Sequence, residues 1–443
     1  MIGRFDKQSL VDKQSLVGEQ CSADDELLDQ LQFAAFSYFI EHTNAQTGLV
    51  ADTSREGSPA SIAVVGFALS CYPVGVERGW ITRADAAYQT LKTLRFFWNS
   101  AQGPEPDTTG YKGFYYHFLD MATGKRVWNC ELSLIDTSLL LAGFLTAGAY
   151  FTAPFEEEAE IRELAQALYF RVDWPWALNG RTTVAQGWKP ECGFLHSGWE
   201  GYSEATILYV LALASPTFPL PLDSFGGWTA TYQWENIYGY EFLYAGPLFI
   251  HLFSHAWIDF RGIRDEFMRE KDSDYFENTR RAVAIQREYA ARNPRGYVAY
   301  DPNCWGITAG DGPGNEELRE GGRDRRFFGY TERGVPFGRD DGTIAPWAMV
   351  AALPFLPPGA LAPVRRMMER HPELFVGSRI SSAWNPTLIE QGGWISEGYY
   401  GLDQGIVAMM IENYRSGMVW NLMRSSPHIA TGLRRAGFEG TWL

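Results

Sequence analysis

Apolar residues recur at three- and four-residue spacing along most of this chain, which is the pattern of α-helices. One group of stretches is apolar around the whole helical circumference and predicts buried helices: Ala60–Cys71, Leu132–Tyr150, Ala205–Ala214, Pro247–Ile258, Ala345–Pro354 and Gln404–Ile411. A second group is amphipathic and predicts helices that cover the core: Asp24–His42, Thr82–Asn99, Glu156–Phe170, Tyr275–Ala291, Leu361–Arg370 and Met418–Arg424. Alternation typical of strands is confined to Gly113–Leu119 and Tyr297–Tyr300, which predict short hairpins.

Buried and amphipathic helices alternate along most of the chain. About twelve helices in this order predict an all-α fold, an (α/α)6 toroid in which an outer ring of helices surrounds an inner ring. We expect residues 1–22 to form an N-terminal tail and residues 23–443 to form a single domain. Between the buried stretches that end at Ala214 and begin at Pro247, the expected outer helix is not evident.

The predicted connections differ in length in a regular way. The long ones all precede buried helices: 44–57, 101–130, 174–201, 215–245, 295–341 and 371–400. In a double ring of helices, these loops would gather on one rim, above the first residues of the inner helices. Loops longer than about 15 residues in a compact domain are usually functional, so we expect the active site at this rim.

Charge and composition exclude several classes of partner. The formal net charge of the 443 residues is −15, and no basic stripe interrupts the acidic surface, so nucleic acid is not expected as a partner. No apolar run reaches transmembrane length, which argues against membrane insertion. The first residues lack the apolar core of a signal peptide, so we expect a cytoplasmic protein, or a periplasmic one if the start has been trimmed. The sequence leaves the oligomeric state open.

Aromatic residues make up 15% of the sequence, and many stand beside glycines and acids rather than at helical spacing, as in Gly198–Glu204. Flat apolar rings beside carboxylates suit sugar rings, although a large aromatic core would account for many of these residues. The aromatic side chains that we expect to contact a saccharide are Trp199, Tyr202, Trp305 and Trp394.

Enzymes that cleave glycosidic bonds usually place two carboxyl groups on either side of the bond. Glu204 and Asp403 each stand at the start of a predicted inner helix, and helix capping is the alternative role for both. The helix dipole lowers the pKa of a carboxyl group there, which suits Asp403 as a general base. Glu204 would need a raised pKa to serve as a general acid, and we expect Glu200 and the neighbouring rings to supply it.

Further acids are candidates for substrate contacts. Asp136 lies in a helix without a polar face, so it must either be paired in an ion pair or face the cavity. Asp341 precedes another inner helix, and Asp311 lies in a glycine-rich loop that could equally be a surface turn. Glu397 and Asp136 are rivals of Asp403 for the role of base.

Metal or cofactor binding is not predicted. His251, His255 and Asp259 could share one helical face, but they lack the HExxH spacing, and hydrogen-bonded core histidines are the commoner explanation. The five cysteines show neither metal-site spacing nor a disulfide framework.

Several motifs together resemble the bacterial glucoamylase-like domain family, over about residues 25–425. They are Pro59–Phe67, Tyr202–Ala205, His255–Gly262, Gly306–Gly314, Asp341–Pro346 and Ile411–Arg415. This family is similar to glycoside hydrolase family 144, whose known members act on β-1,2-glucan. The resemblance implies an (α/α)6 fold and an inverting mechanism without metal. It also implies that Glu204 is the general acid and Asp403 the general base.

The sequence therefore predicts a glycoside hydrolase that acts on an oligosaccharide or polysaccharide substrate, with β-1,2-glucan as the first choice. Transglycosylation is the alternative enzymatic function, and a non-catalytic carbohydrate-binding domain is the alternative from another class. This chain departs from the family in the arginine- and glutamate-rich segment Asn315–Asp340, which is expected to reshape the substrate cleft.

Overall fold

Helices dominate the computed structural model, which describes residues 7–357 and 361–443 and, for residues 7–22, the backbone alone. The α-helices of these residues are α1 (Lys7–Glu41), α2 (Ile62–Glu77), α3 (Arg83–Asn99), α4 (Leu134–Tyr150), α5 (Glu156–Phe170), α6 (Trp174–Ala177), α7 (Thr206–Ala214), α8 (Asp223–Thr229), α9 (Leu248–Leu252), α10 (Glu266–Glu270), α11 (Tyr275–Arg292), α12 (Pro346–Ala351), α13 (Ala362–Arg370), α14 (Gly401–Arg415), α15 (Met418–Ser425) and α16 (Pro427–Arg435).

The strands are short and lie in the long connections between helices. They are β1 (Ala60–Ser61), β2 (Gly110–Tyr111), β3 (Phe114–Tyr116), β4 (Phe118–Leu119), β5 (Leu132–Ser133), β6 (Gly187–Lys189), β7 (Gly193–Phe194), β8 (Trp234–Ile237), β9 (Tyr240–Leu243), β10 (Ile263–Arg264), β11 (Glu316–Glu320), β12 (Arg323–Phe327), β13 (Phe375–Val376), β14 (Arg379–Ile380), β15 (Trp384–Asn385), β16 (Trp394–Ile395) and β17 (Glu439–Gly440). One small antiparallel sheet has the order β2-β3-β5-β6-β7, and the other strands of the described residues form pairs.

The most apolar helices pack against one another. Helix α2 lies between α4 and α14, α4 also contacts α7, and α14 also contacts α12. More amphipathic helices cover them: α5 packs on α4 and on α3, α1 packs on α14, and α16 packs on α7. Glycines allow the closest of these approaches, because a Cβ at Gly66 of α2 would lie 2.3 Å from the carbonyl oxygen of Leu139 in α4.

Most predicted helices are confirmed, and α5 has the predicted bounds. The prediction over Pro247–Ile258 is too long, since α9 ends at Leu252 and a 3₁₀ turn follows at Ser254–Ala256. Between Ala214 and Pro247, where no outer helix was evident, the structure contains the short helix α8. The predicted hairpin at Tyr297–Tyr300 is wrong, because this segment contains no strand and its tyrosine hydroxyls instead bond Asp340.

Loops that precede different buried helices meet one another. Thr53, from the loop before α2, pairs with Tyr400 at the start of α14. Ile344, before α12, pairs with Trp384, and Gly310 pairs with Thr331 within the longest connection. These contacts place the loops before α2, α12 and α14 together, where the sequence predicted the active site. Among the helices of the described residues, none combines the length and apolar character needed to cross a membrane.

Candidate active site

Glu204 stands two residues before α7, in a turn held by tertiary hydrogen bonds. Ser254 Oγ donates to the Glu204 carbonyl at 2.8 Å and accepts from the backbone of Ile207 at 3.2 Å. The side chain keeps part of its surface accessible although protein surrounds it, which is the situation of a group inside a cleft. Burial raises the pKa of Glu204 to about 7, and the charges of Asp136 and Glu332 act in the same direction.

The raised pKa of Glu204 agrees with the requirement for a general acid, but its cause differs from our expectation. Glu200 is exposed, accepts a hydrogen bond from Thr183 Oγ1 at 3.0 Å, and is not among the groups that raise this pKa. The like charges come instead from α4 and from the loop after β12.

Asp136 lies in the first turn of α4 and is paired with a histidine. Ser133 Oγ donates to its carboxylate, and His117 Nε2 lies 3.5 Å from it. The other ring nitrogen of His117, Nδ1, is 2.8 Å from Glu131. Although burial opposes the charged form, Asp136 and Glu131 raise the pKa of His117 to about 9. An imidazolium between two carboxylates therefore compensates the negative charge of Asp136 at neutral pH.

Asp52 connects Asp136 to Asp403. Its backbone carbonyl accepts a hydrogen bond from Gly401, the first residue of α14, at 2.8 Å. Burial raises the pKa of its carboxyl group to about 6, His117 and Arg55 oppose this shift, and Asp136 adds to it. The charge of Asp52 in turn raises the pKa of Asp403. Glu204, Asp136, Asp52 and Asp403 thus form a continuous row of carboxyl groups, each close enough to influence the next.

Asp403 does not have the low pKa that its place in the first turn of α14 predicted. The side chain is only 9% exposed, and burial raises its pKa well above the usual range. The nearby charges of Asp52 and Asp311 raise it further, while a hydrogen bond with Ser382 opposes the shift. Desolvation and two like charges outweigh the partial charge of the helix terminus at this position.

Two side chains from the segment after β12 face this row. Tyr330 is 69% exposed; desolvation by the surrounding protein and the charges of Asp403, Asp52 and Asp136 raise the pKa of its hydroxyl group above its usual range. Glu332 influences Glu204 at the other end of the row. Thr331, between them, pairs with Gly310. Since side chains alternate along extended backbone, Tyr330 and Glu332 share one face, toward the carboxyl groups.

Arg333 anchors this segment. Its guanidinium group is buried and bonds both carboxylate oxygens of Asp341, at 2.8 and 2.9 Å. The same group donates to the carbonyls of Gly310 and Asp311 on one side and of Phe328 and Gly329 on the other. Asp341 is completely buried by this arrangement, so the prediction that it contacts a substrate is not supported.

Arg55 brings another group of predicted residues together. It forms an ion pair with Asp311, and its Nε donates to the Glu397 carbonyl at 2.7 Å. Ser396 Oγ also donates to Asp311 at 2.9 Å. The Glu397 side chain itself is exposed. Asp311, expected either to contact a sugar or to lie in a surface turn, is thus paired with Arg55 and is close enough to Asp403 to raise its pKa.

The predicted aromatic contacts divide into two sets. Trp199, Tyr202 and Trp394 are partly exposed, and Tyr202 packs against His251 with ring centroids 5.1 Å apart. Trp305 is fully buried, so it belongs to the core and cannot stack on a sugar in this arrangement. A groove of ≈ 1280 Å³ runs along α3 on another part of the surface and contains none of the predicted site residues.

The histidines considered for metal binding each have a protein partner. His251 Nε2 is 3.2 Å from the Ala245 carbonyl, and His255 Nε2 is 3.0 Å from Thr279 Oγ1. Asp259 is paired with Arg261 and Arg424. Another group, His117, Glu131 and Asp136, brings three potential ligand atoms within 4.8 Å of one another in the described residues. In this group, His117 is hydrogen-bonded to Glu131 and has a raised pKa, as expected for a histidine that forms ion pairs with two carboxyl groups.

Sequence reasoning missed Asp52, His117, Tyr330 and Glu332. Asp52 follows an apolar pair in a loop that was already predicted to lie on the active-site rim, and His117 interrupts a run of aromatic residues in a predicted strand. The sequence context of both residues could have identified them as candidates. For Tyr330 and Glu332, the only such indication was their place in the segment that departs from the family.

Comparisons with known proteins identify a matching family and similar chains. A family model for glycoamylases, described as "Putative glucoamylase", matches residues 196–427, slightly more than half of the chain. An exo β-1,2-glucooligosaccharide sophorohydrolase from Parabacteroides distasonis is 28% identical, and the alignment covers 93% of this chain. The chain spans 58% of the length of that relative.

Solved structures show the same likeness over whole chains. A structure from Bacteroides uniformis, described in the same words as the family, is 30% identical with a TM-score of 0.83, and the match covers 95% of this chain and 98% of that one. An endo-β-1,2-glucanase from Chitinophaga pinensis, solved with sophorotriose and glucose, is 26% identical with a TM-score of 0.82. That match covers 95% of this chain and 99% of the glucanase.

Proposed function

We propose that this chain, which belongs to the glycoamylase family, is a glycoside hydrolase that cleaves β-1,2-linked glucan or gluco-oligosaccharides. Family membership confirms the resemblance seen in the sequence motifs. The proposal for the linkage is supported by two relatives, one named as a sophorohydrolase and one as an endo-β-1,2-glucanase. The single observation in this chain that carries the proposal is the accessible but enclosed carboxyl group of Glu204, within a row of other carboxyl groups.

Glu204 is the proposed general acid. A general acid must hold its proton at the working pH and release it to the departing oxygen, and it is most effective when its pKa lies near that pH. The pKa of Glu204, raised to about 7 by burial and by the charges of Asp136 and Glu332, meets this condition. An ordinary glutamate, with a pKa near 4.3, would be almost fully ionised at pH 7.

Asp403 is the proposed general base, as the resemblance implies, and Asp136 is its rival. An inverting enzyme activates water on the face of the sugar opposite the acid, with the two carboxyl groups roughly 6.5–9.5 Å apart. Asp403 stands at the far end of the row from Glu204, but its raised pKa means that it must lose a proton before it can act. Asp136, unlike Asp403, is among the charges that raise the pKa of Glu204, and it is paired with His117, which favours it on electrostatic grounds.

The remaining polar and aromatic groups around the row are proposed to bind the saccharide. From the sequence prediction these are Asp136, Trp199, Glu200, Tyr202, Asp311, Trp394 and Glu397, and the structure adds Tyr330 and Glu332. Partly exposed rings can stack on sugar faces, and carboxylates can accept hydrogen bonds from hydroxyl groups. The reaction is proposed to need no metal or cofactor, because the acid and base roles are filled by side chains.

We also propose that the helices close into the double ring of an (α/α)6 toroid and that residues 23–443 form one domain. Support comes from the contacts of α2 with both α4 and α14, which join an early part of the chain to a late one. One continuous cluster of buried hydrophobic residues extends from Leu27 to Phe438.

A product profile tests the proposed function. The purified chain is incubated with linear β-1,2-glucan, sophoro-oligosaccharides, cyclic β-1,2-glucan, cellobiose-type oligomers and starch-type α-1,4-glucan, with and without EDTA. We expect the β-1,2-linked substrates to be cleaved fastest in both conditions, with the anomer of inverted configuration appearing first by NMR. Products longer than the substrate would indicate transglycosylation, and faster cleavage of α-1,4-glucan would contradict the proposed linkage.

A further inference from the structure

A cavity rich in arginine lies beside the segment that faces the active site. It has a volume of ≈ 440 Å³ and is formed by the loop after α11, the β11–β12 hairpin with the residue that follows it, and the segment before α12. Five guanidinium groups line it: Arg295, Arg323, Arg325, Arg326 and Arg339. We call this the arginine cavity. Such a concentration of positive charge is unexpected on a chain with a net charge of −15.

The arginines of this cavity lack the acidic partners that arginines have elsewhere in the described residues. Arg78 pairs with Glu412 at 2.8 Å and Arg83 pairs with Glu158 at 2.7 Å, for example. Within the part of the chain that the structure describes, none of the five forms an ion pair with a carboxylate. Their direct partners are mainly backbone carbonyls and aromatic faces, so their charge is compensated only in part.

The two carboxylates that line the cavity are engaged elsewhere. Asp340 is buried and accepts hydrogen bonds from the hydroxyls of Tyr289 and Tyr300, both at 2.7 Å. Asp324 has a side chain that is 89% exposed and lies 3.8 Å from Arg319. Asp340 also acts electrostatically on Arg295, but two carboxyl groups beside five guanidinium groups leave the cavity with a net positive charge.

Arg325 is held in the cavity by contacts with a backbone carbonyl and an aromatic ring. Its Nη2 donates to the Gly296 carbonyl at 2.8 Å, and its guanidinium group lies over the Tyr297 ring, 4.7 Å from the centroid. Its Nε is buried and has no hydrogen-bond partner. Because this nitrogen has no accessible surface, a ligand in the cavity would meet the Nη groups of Arg325 rather than Nε.

The neighbouring arginines are held in place by the protein itself. Arg323 donates to the Arg295 carbonyl at 3.0 Å, and Arg339 donates to Thr331 Oγ1 at 2.7 Å. Arg326 and Arg339 both lie over the Phe328 ring, at 5.3 and 5.7 Å from its centroid. These contacts position the groups before a ligand arrives, which lowers the entropic cost of binding.

We propose that the arginine cavity binds an anionic group of the phosphate class. A guanidinium group is planar and can donate two parallel hydrogen bonds to an oxyanion. Several such groups around one cavity therefore suit an anion with several acceptor oxygens. The group is either a free phosphate ion or a phosphate substituent on a saccharide. This site goes beyond the proposed glucan hydrolysis and does not depend on it.

Calorimetric titration tests the site without any glucan present, so its outcome is independent of the hydrolase activity. The titrants are inorganic phosphate, glucose 6-phosphate and, as the neutral control, glucose. We expect both phosphates to bind, glucose to give no signal under the same conditions, and the affinity to fall as salt is raised. Tighter binding of glucose 6-phosphate than of phosphate assigns the site to a saccharide substituent, whereas equal affinity assigns it to the free ion.

Paired variants identify the cavity as the place of binding. Arg323→Gln with Arg325→Gln is one variant, and Arg326→Gln with Arg339→Gln is a second, in case the first does not fold. We expect each to lose about tenfold or more in phosphate affinity, because charge-assisted hydrogen bonds are removed. The matched control is Arg280→Gln, an exposed arginine that is paired with Glu277. No phosphate binding by the unmodified protein, or equal binding by a folded cavity variant, would overturn the proposal.

Discussion

Arg333 and Asp341 form a buried bidentate ion pair with nitrogen–oxygen distances of 2.8 and 2.9 Å. The pair closes the loop between β12 and α12, and Arg333 also binds the carbonyls of the glycine-rich loop at Gly310 and Asp311. Tyr330 and Glu332 are held between these contacts, facing the row of carboxyl groups. The shape of this side of the cleft therefore depends on one ion pair.

Arg333→Ala is expected to lower the free energy of unfolding by about 3–5 kcal/mol, because it leaves the Asp341 carboxylate buried without a partner. Arg333→Lys keeps a positive charge but cannot form the bidentate contact of a guanidinium group, so we expect a smaller decrease in the free energy of unfolding. Urea denaturation measures both. Arg319→Ala is the control on the same segment, since this side chain is 73% exposed, and it is expected to stay within about 0.5 kcal/mol of the unmodified protein. Equal stabilities for Arg333→Ala and Arg319→Ala would refute the anchoring role.

Tyr330→Ala is expected to raise KM for sophoro-oligosaccharides by roughly three- to tenfold, because an aromatic contact worth about 0.5–1.5 kcal/mol is lost. Tyr330→Phe keeps the ring and should retain most of the affinity. Steady-state kinetics on sophorotriose provides the measurement. Tyr88→Ala, at a 64% exposed tyrosine on α3, is the control. An unchanged KM for Tyr330→Ala would show that the ring does not contact the substrate.

Asp403→Ala and Asp136→Ala separate the two candidates for the base. Removal of the general base should lower kcat by about 10²–10⁴-fold. Azide is a nucleophile that needs no base, so it should restore turnover only in the variant that has lost this group. We expect azide to rescue Asp403→Ala. Rescue of Asp136→Ala instead would transfer the role of base to Asp136.

Gly66→Ala tests the close contact of α2 with α4. The new Cβ would lie 2.3 Å from the Leu139 carbonyl oxygen, and backbone must move to relieve the clash. We expect the protein to lose about 1–3 kcal/mol of stability, or not to fold. Gly226→Ala in α8 has no atom within 4 Å of the new Cβ and should gain up to about 1 kcal/mol from helix propensity. A neutral Gly66→Ala in thermal denaturation would contradict this packing.

The sequence predicted those features of the fold that depend on local periodicity. Helix α5 matched its predicted bounds because its apolar residues keep strict helical spacing and acids occupy its first turn. Helix α9 ends at Leu252, and the hydroxyl group of Ser254 in the following turn bonds Glu204 and Ile207, residues of a distant part of the chain. Tertiary hydrogen bonds of this kind leave no local pattern.

The predicted site also combines features that follow from the local sequence with features that depend on tertiary contacts. The positions of Glu204 and Asp403 at helix starts followed from the sequence, as did the raised pKa of Glu204, but neither the cause of that shift nor the raised pKa of Asp403 did. The raised pKa of Asp403 depends on burial and on Asp52 and Asp311, which other loops bring beside it. Similarly, Asp341 and Trp305 have the residue types of sugar contacts, but the fold buries both. Burial and distant charges become visible only when the loops are placed together.

The kinetics of Glu204→Gln on sophoro-oligosaccharides test the central claim most directly. The amide keeps the shape of the side chain but has no acidic proton, so we expect kcat to fall by about 10²–10⁴-fold without a change in melting temperature. In the unmodified protein, activity should decline as the pH rises through about 7, because Glu204 must be protonated to act and its pKa is raised to about 7. The residual activity of Glu204→Gln should lack this decline. Turnover near that of the unmodified protein, with the same alkaline decline, would contradict the assignment of Glu204 as the general acid.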